Sequence, residues 1–237
     1  MIRALARFSS AAHTGAAALA VLSLLPLASP QTKSMTQGAH RMELMLERYD
    51  GTTWKTIDPA LVLAQGDHVR FRFRTNFDGY LYVTNQSTSG KYEQLFPREE
   101  TGQDNHIVGG KDYQVPATSV AFRIAGPPGH EVVYWLVSPA RLTDMTARPT
   151  LPATGISPPL TLIPRCDEGV MKARGDCVDT TAGPKLIPRE VDVSKELAAA
   201  NAASRELLFV REQNTAVISS HDPLTGPVIY EFQLAHR

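Results

Sequence analysis

The side chains best spaced for recognition chemistry are three arginines on alternate positions, Arg70, Arg72 and Arg74. Alternate residues of an extended strand lie about 6.6–7 Å apart, so three guanidiniums there make a linear cationic ridge. Each guanidinium offers a planar fork of N–H donors, which suits a carboxylate, a phosphate or a sulfate. Tyr80 and Tyr82 follow a five-residue link, residues 75–79. If that link is symmetric, Arg74 stands opposite Tyr80 and Arg72 opposite Tyr82. Phe73 and Phe71 then meet Leu81 and Val83 on the other face. Arg70, Arg72, Arg74, Tyr80 and Tyr82 are therefore the candidate binding residues. The competing reading of the same five is a solvated sheet face held by Arg–Tyr contacts.

The other reactive residues form no recognisable catalytic motif. The seven histidines, His13, His40, His68, His106, His130, His221 and His236, are scattered. There is no His-Glu-x-x-His, no Gly-x-Ser-x-Gly, no phosphate-cradling glycine loop and no dinucleotide fingerprint. No catalytic residue, metal ligand or cofactor is expected, and a hydrolase with its members distant in sequence is kept as a third reading. Asp104, Asn105 and His106, with Glu99 and Glu100 nearby, crowd oxygen ligands into one polar loop without the spacing of a calcium loop. Asp167, Glu168, Asp176 and Asp179 invite the same idea and meet the same objection. Arg174-Gly175-Asp176 spells an adhesion tripeptide, a match that chance supplies readily.

Compartment is easier to read. Arg3 and Arg7 precede a 14-residue apolar run at 15–28, too short for the roughly 20 residues of a spanning helix. This is the pattern of a secretory signal cleaved near Ala28 or Ser29, with an uncleaved membrane anchor as the alternative. Without that segment 22 basic side chains face 24 acidic ones, and a near-neutral protein has no electrostatic case for nucleic acid. Cys166 and Cys177 enclose ten polar, turn-rich residues. In an oxidising compartment they are expected to close a disulfide ring, with two free thiols as the alternative. Their spacing is not that of a redox Cys-x-x-Cys, and two cysteines without a nearby histidine make a poor zinc site.

These residues need elements to position them, and alternation supplies the elements. Met42, Leu44 and Leu46 mark a half-buried strand, followed by an Asp50-Gly51 turn and a short return at Trp54. Residues 58–64 fit either a helical turn or an extended connection. Val69, Phe71 and Phe73 alternate with the arginines, then residues 80–84 and 92–96 form strands separated by the turn at 87–91. The long polar segment 97–116 holds one short strand around Ile107. Val120, Phe122 and Ile124 alternate again. Residues 132–137 (VVYWLV) are apolar on both faces, which suits a central strand covered on both sides. Residues 148–164 carry five prolines and read as an extended, semi-rigid segment. Residues 192–203 read as the best helix, capped by Asp192 or Ser194. Strand pattern returns at 207–210, 216–219 and 228–234.

Gly79-Tyr80-Leu81-Tyr82-Val83 after Gly66-Asp67, then Gly90-Lys91, Leu95-Phe96-Pro97, Asn105-His106-Ile107, Gly110 and Pro116, resembles a bacterial family, the domain of unknown function 4384. The resemblance covers about residues 42–138. It implies an accessory role, because similar proteins carry the domain alone behind a signal peptide or beside peptidase-like or kinase modules. The family has no agreed catalytic residues, so it implies none here.

The sequence thus predicts an all-β, antiparallel sandwich-like domain with a proline-rich, disulfide-closed C-terminal elaboration containing one short helix. Its divisions are a signal peptide at 1–29, a lead-in at 30–40, the β domain at 41–140 and an extension at 141–237 docking back on it. The expected role is a non-enzymatic interaction module of the periplasm or extracellular space. It would present the Arg/Tyr face or the 97–116 loop to an envelope or secreted protein. The alternative is a carbohydrate or anionic small-ligand binding protein using the same side chains.

Overall fold

Alternation of apolar and polar residues is what builds this molecule, and it persists from one end of the described chain to the other. The computed structural model describes residues 39–142, 163–189, 193 and 195–237. The expected signal segment, residues 30–38 of the lead-in, Pro149, Pro152, Pro158 and Pro159, and the cap positions Asp192 and Ser194 lie outside those residues.

The first strands are β1 (His40–Tyr49), β2 (Trp54–Ile57), β3 (His68–Thr75), β4 (Gly79–Gln86) and β5 (Tyr92–Phe96). They are followed by β6 (His106–Ile107), β7 (Asp112–Val115), β8 (Phe122–Arg123) and β9 (Gly129–Ser138). Then come α1 (Glu168–Arg174), β10 (Gly183–Lys185), α2 (Lys195–Ala203), a 3-10 turn (Ser204–Glu206), β11 (Leu207–Glu212), β12 (Thr215–Ser220) and β13 (Val228–His236). They assemble into two antiparallel sheets. One has the order β11-β12-β1-β3-β7, with β2 also on β1 and β8 on β3. The other has the order β10-β13-β9-β4-β5, with β6 also on β4. The predicted all-β sandwich is what the chain forms, and among the described residues no helix is long and apolar enough to cross a membrane.

The core lies between the sheets and is aromatic at its centre. Phe71 of β3 meets Trp135 of β9 and Phe232 of β13 edge-on, at centroid distances of 5.2 Å in both cases. Phe73 contacts Trp135 at 5.9 Å and stacks on Tyr113 at 5.3 Å. Such pairs add roughly 0.5–1.5 kcal/mol each beyond their burial. As the alternation predicts, Val69, Phe71 and Phe73 point inward, and so do Met42, Leu44 and Leu46.

The expected β3–β4 hairpin does not form. β3 lies between β1 and β7 in one sheet, and β4 lies between β9 and β5 in the other. Residues 76–78 carry the chain across the sandwich, and stacked sheets are only about 10 Å apart, well within reach of such a link. Seven paired positions with β1 and seven with β9 occupy the edges that a hairpin would have used. The crossing is pinned at its start, where Arg41 N–H donates to Asn76 Oδ1 at 2.7 Å. It is pinned again where Gly109 N–H donates to Asp78 Oδ1 at 2.7 Å. At its end a Cβ on Gly79 would lie 2.7 Å from the Ser138 carbonyl oxygen, so β4 must open on glycine.

β9 is buried along its whole length. Its inward residues Val133, Trp135 and Val137 enter the main core, while Val132, Tyr134 and Leu136 pack beneath Ile187 and beneath Leu197 and Ala200 of α2. The two-sided cover predicted for VVYWLV is therefore real, and α2 is the cover. Ser204 fastens it: its hydroxyl donates to Ala200 O at 2.6 Å and accepts from Ile229 N–H at 2.8 Å. This satisfies a β13 amide beyond the reach of β10. The strands after residue 206 belong to both sheets, β12 pairing with β1 and β13 with β9 along nine positions.

Beneath the same cover lies a buried carboxyl group. Glu231 is 2% exposed, with Lys185 Nζ at 3.9 Å and Gln233 Nε2 donating to it at 2.9 Å. Desolvation pushes its pKa up to about 7 against the opposing pull of Lys185.

Cys166 and Cys177 are joined as a disulfide. The ring holds a helix, α1, where the sequence suggested only turns, so the single expected helix becomes two. Asp167 Oδ1 accepts from Val170 N–H at 2.8 Å as its N-cap, and Gly175 closes it at φ +75°. That gives the glycine of Arg174-Gly175-Asp176 a structural reason. The ring is tied to residues 58–64, whose conformation is extended with a turn, by Val62 N–H to Cys177 O at 2.8 Å and Asp179 N–H to Ala60 O at 2.9 Å. Replacing both cysteines with serine is expected to cost about 2–3 kcal/mol for a ring of this size. It should lower the melting temperature by roughly 5–10 °C in a calorimetric scan, and an unchanged melting temperature would refute the stabilising role.

Candidate functional site

The five residues expected to share one face are divided between two. Arg70, Arg72 and Arg74 lie on the outer side of β3, in the sheet that contains β1. Tyr80 and Tyr82 lie on the outer side of β4, in the opposite sheet. Tyr82 is buried, and its hydroxyl accepts from Leu142 N–H at 3.0 Å. Tyr80 sits beside His106 at 5.1 Å, with the Arg141 guanidinium 5.2 Å from its ring. The Arg/Tyr face is a product of the hairpin register and falls with it.

The ridge itself is charge-compensated by its neighbour β1. Glu47, 3% exposed, receives Arg70 Nε at 2.6 Å and Arg72 Nη1 at 3.3 Å. Arg70 also lies over Trp54, 4.3 Å from the ring centroid. Arg74 is exposed and stands in register with Glu43 on one side and Asp112 on the other. Arg70 and Arg72 thus share one buried acid, and Arg74 faces two acids of which Glu43 also pairs with Arg41 at 3.1 Å, so the field offered to an anion is reduced.

Asp104, Asn105 and Asp179 have structural duties. Asn105 Nδ2 donates to Leu81 O at 3.2 Å, and Asp104 Oδ1 accepts from His106 N–H at 3.1 Å. Asp179 accepts from Arg165 N–H and from the amide and hydroxyl of Thr181, at 2.9, 2.9 and 2.7 Å. Burial pushes its pKa up, but these bonds outweigh that and hold it below the usual carboxylate range. Among the described residues no three His, Cys, Asp or Glu side chains come together as a metal site.

A concave feature lies elsewhere, where the two sheets part at one end of the sandwich. A pocket of about 480 Å³ opens there, within the size range of small-ligand sites. Its floor is apolar: Val69 and Phe71 of β3, Leu95 of β5, Ile124, Val133 of β9 and Leu234 of β13. Its mouth is charged. Arg98 Nη1 donates to Glu93 at 2.6 Å and Arg98 Nε to Glu100 at 2.7 Å, and Arg123 stands exposed at the rim. The pairing raises the Arg98 pKa further. Arg98, Glu100 and Thr101 open the 97–116 segment, so part of the loop singled out in the sequence does border the pocket.

Two polar side chains reach the inner wall. Glu131, 8% exposed, accepts from Asn85 Nδ2 at 2.6 Å and from Thr88 N–H at 3.3 Å, with His236 Nε2 at 3.7 Å. Asn85 Oδ1 is buried without a hydrogen-bond partner. Neither residue was singled out from the sequence, although strand parity carried the signal. Glu131 shares its face with Val133 and Trp135, and Asn85 shares its face with Leu81 and Val83. A polar residue in phase with core residues points inward.

Residues 62–141 match the family described as domain of unknown function (DUF4384). The match begins at Val62, twenty residues later than the resemblance at 42–138 suggested, so β1 and β2 lie outside it. The DUF4384 segment runs from the link before β3 to just beyond β9. It supplies every lining residue of the pocket except Leu234. By contrast Glu43, Glu47 and Trp54, which engage or face the arginine ridge, fall outside the DUF4384 segment. No curated protein and no solved structure matches the chain.

Proposed function

We propose that this protein is a non-enzymatic interaction module of the periplasm or extracellular space, and that it engages a protein partner through the inter-sheet pocket and the 97–116 segment at its mouth. The observation that carries the reading is the pocket itself: a preformed apolar cleft with a charged rim, built almost wholly from the DUF4384 segment. Apolar floors rimmed by polar groups are what hot-spot pockets of interfaces look like. The Cys166–Cys177 disulfide supports an oxidising compartment. Binding is favoured over chemistry because the pocket's hydroxyl groups and the rim residues Glu93, Arg98 and Glu100 are already engaged. Ser87 Oγ bonds Ser89 Oγ at 2.7 Å, Thr101 Oγ1 bonds Leu95 O, and Glu93 and Glu100 hold Arg98. The reading as a carbohydrate or anionic-ligand protein used arginine and tyrosine side chains together, and their placement in opposite sheets removes that basis.

Two variants separate the surfaces. Ala121→Trp narrows the mouth without touching Glu131, and the triple change of Arg70, Arg72 and Arg74 to serine removes the ridge. In co-purification from an envelope extract, a partner should be lost with Ala121→Trp and kept with the triple variant. Loss with the triple variant alone would transfer the role to the ridge, and full retention by both would overturn the proposal.

A further inference from the structure

The inner wall of the pocket is chemically one-sided, and this narrows what it can receive. Glu131 is a buried carboxylate whose nearby basic group among the described residues is His236, at 3.7 Å. Asn85 spends its Nδ2 donor on Glu131, which fixes the amide and leaves Oδ1 as an unmet acceptor. Two adjacent acceptors, one of them charged, call for a ligand atom that donates more than one hydrogen bond and carries positive charge. A buried charge is tolerable only when paired, and a buried acceptor left unmet costs about 1–3 kcal/mol.

An ammonium meets both needs with three donors on one compact centre. A hydroxyl brings one donor and no charge. A carboxylate would meet Glu131 with like charge. A guanidinium spreads five donors over a plane, more than two neighbouring acceptors can satisfy. Between the inner wall and the mouth, Leu95 and the more accessible Val120 and Phe122 would line an aliphatic stem. At the mouth Arg98 is already neutralised by Glu93 and Glu100, which leaves Arg123 as the rim cation that an entering ammonium passes.

We infer that the pocket receives an alkylammonium group on an apolar stem, supplied by a lysine side chain of the protein partner. This rests on the pocket being the binding surface.

The test uses the full chain, labelled with ¹⁵N, titrated with n-butylammonium, n-butanol and n-butyrate. The amine should shift the amides of Asn85, Glu131 and Val133 saturably, with an affinity at least tenfold above that of the alcohol. Glu131→Gln should bring the amine down to the level of the alcohol. Ala121→Trp, a change at the mouth that leaves the inner wall intact, should abolish the shifts even if Glu131→Gln does not fold. Equal affinities, a preference for butyrate, or amine shifts outside the pocket would overturn the inference. A terminally blocked peptide should bind through lysine and lose at least tenfold when norleucine replaces it. Binding of free amine with no preference for the lysine peptide would overturn the lysine assignment. If Ala121→Trp loses the partner while amine and alcohol bind alike, the pocket remains the binding surface and this inference alone fails.

Discussion

Replacing Trp135 with alanine is expected to destabilise the protein by about 3–5 kcal/mol, the largest loss from any single side chain in the sandwich. Trp135 is fully buried and touches the aromatic residues of both sheets, Phe71 and Phe73 on one side and Tyr230 on its own. Its removal opens a cavity that neither sheet can close, because β9 is held by β4 and β13. Phenylalanine at the same position should cost less than about 1.5 kcal/mol. The reason is an oddity of the site: the indole Nε1–H is buried with no hydrogen-bond partner, an arrangement that carries a desolvation penalty of about 1–3 kcal/mol. Phenylalanine loses volume but also removes that orphan donor. Urea unfolding midpoints of the two variants decide the matter. Similar large losses in both would mean that the indole nitrogen finds a partner, most simply a buried water.

Glu231 should make the protein less stable as the pH rises. Its pKa is near 7 in the folded state and about 4.5 when unfolded, so folding takes up a proton between those values. For an acid raised on folding, the carboxyl is neutral and harmless at low pH. The penalty for ionising it in place grows from pH 4.5 to 7 and is complete above. By linkage the full penalty is about 3 kcal/mol. Glu231→Gln should therefore stabilise the protein by about that amount at pH 8 and by little at pH 4. Comparing variant and parent at each pH cancels the titration of other groups. A gain that does not change with pH would show that Glu231 is ionised throughout, held so by Lys185.

The sequence displayed faces better than neighbours. Every inward residue read from alternation at Met42 to Leu46, Val69 to Phe73 and Leu81 to Val83 is inward in the structure, because strand parity is a local property of the chain. The pairing of β3 with β4 failed because it used proximity along the chain as a guide to contact. The true neighbours of β3 are β1, more than twenty residues before it, and β7, some forty after. No local signal distinguishes a short hairpin loop from a short crossing between sheets. The candidate site shifted for the same reason. Once β3 and β4 part, Arg70 and Tyr82 separate, while Glu131, Asn85 and Leu234, from three distant stretches, meet. α1 was missed because seven polar-faced residues inside a disulfide ring carry no hydrophobic period, and its helical state depends on Asp167 and Gly175 at its ends.

The position of β13 has a consequence for how such a chain comes to exist. Residues 228–236 fill the place between β9 and β10, and residues 215–220 fill the place beside β1. Until they leave the ribosome, Trp135 and Phe71 lack the strand that completes their burial, and β1 lacks the neighbour along its first half. Contacts of such long sequence separation also form slowly. The nascent chain therefore has no finished core to lock it until residue 236 has emerged. Any machinery that threads unfolded polypeptide has that whole interval in which to capture it.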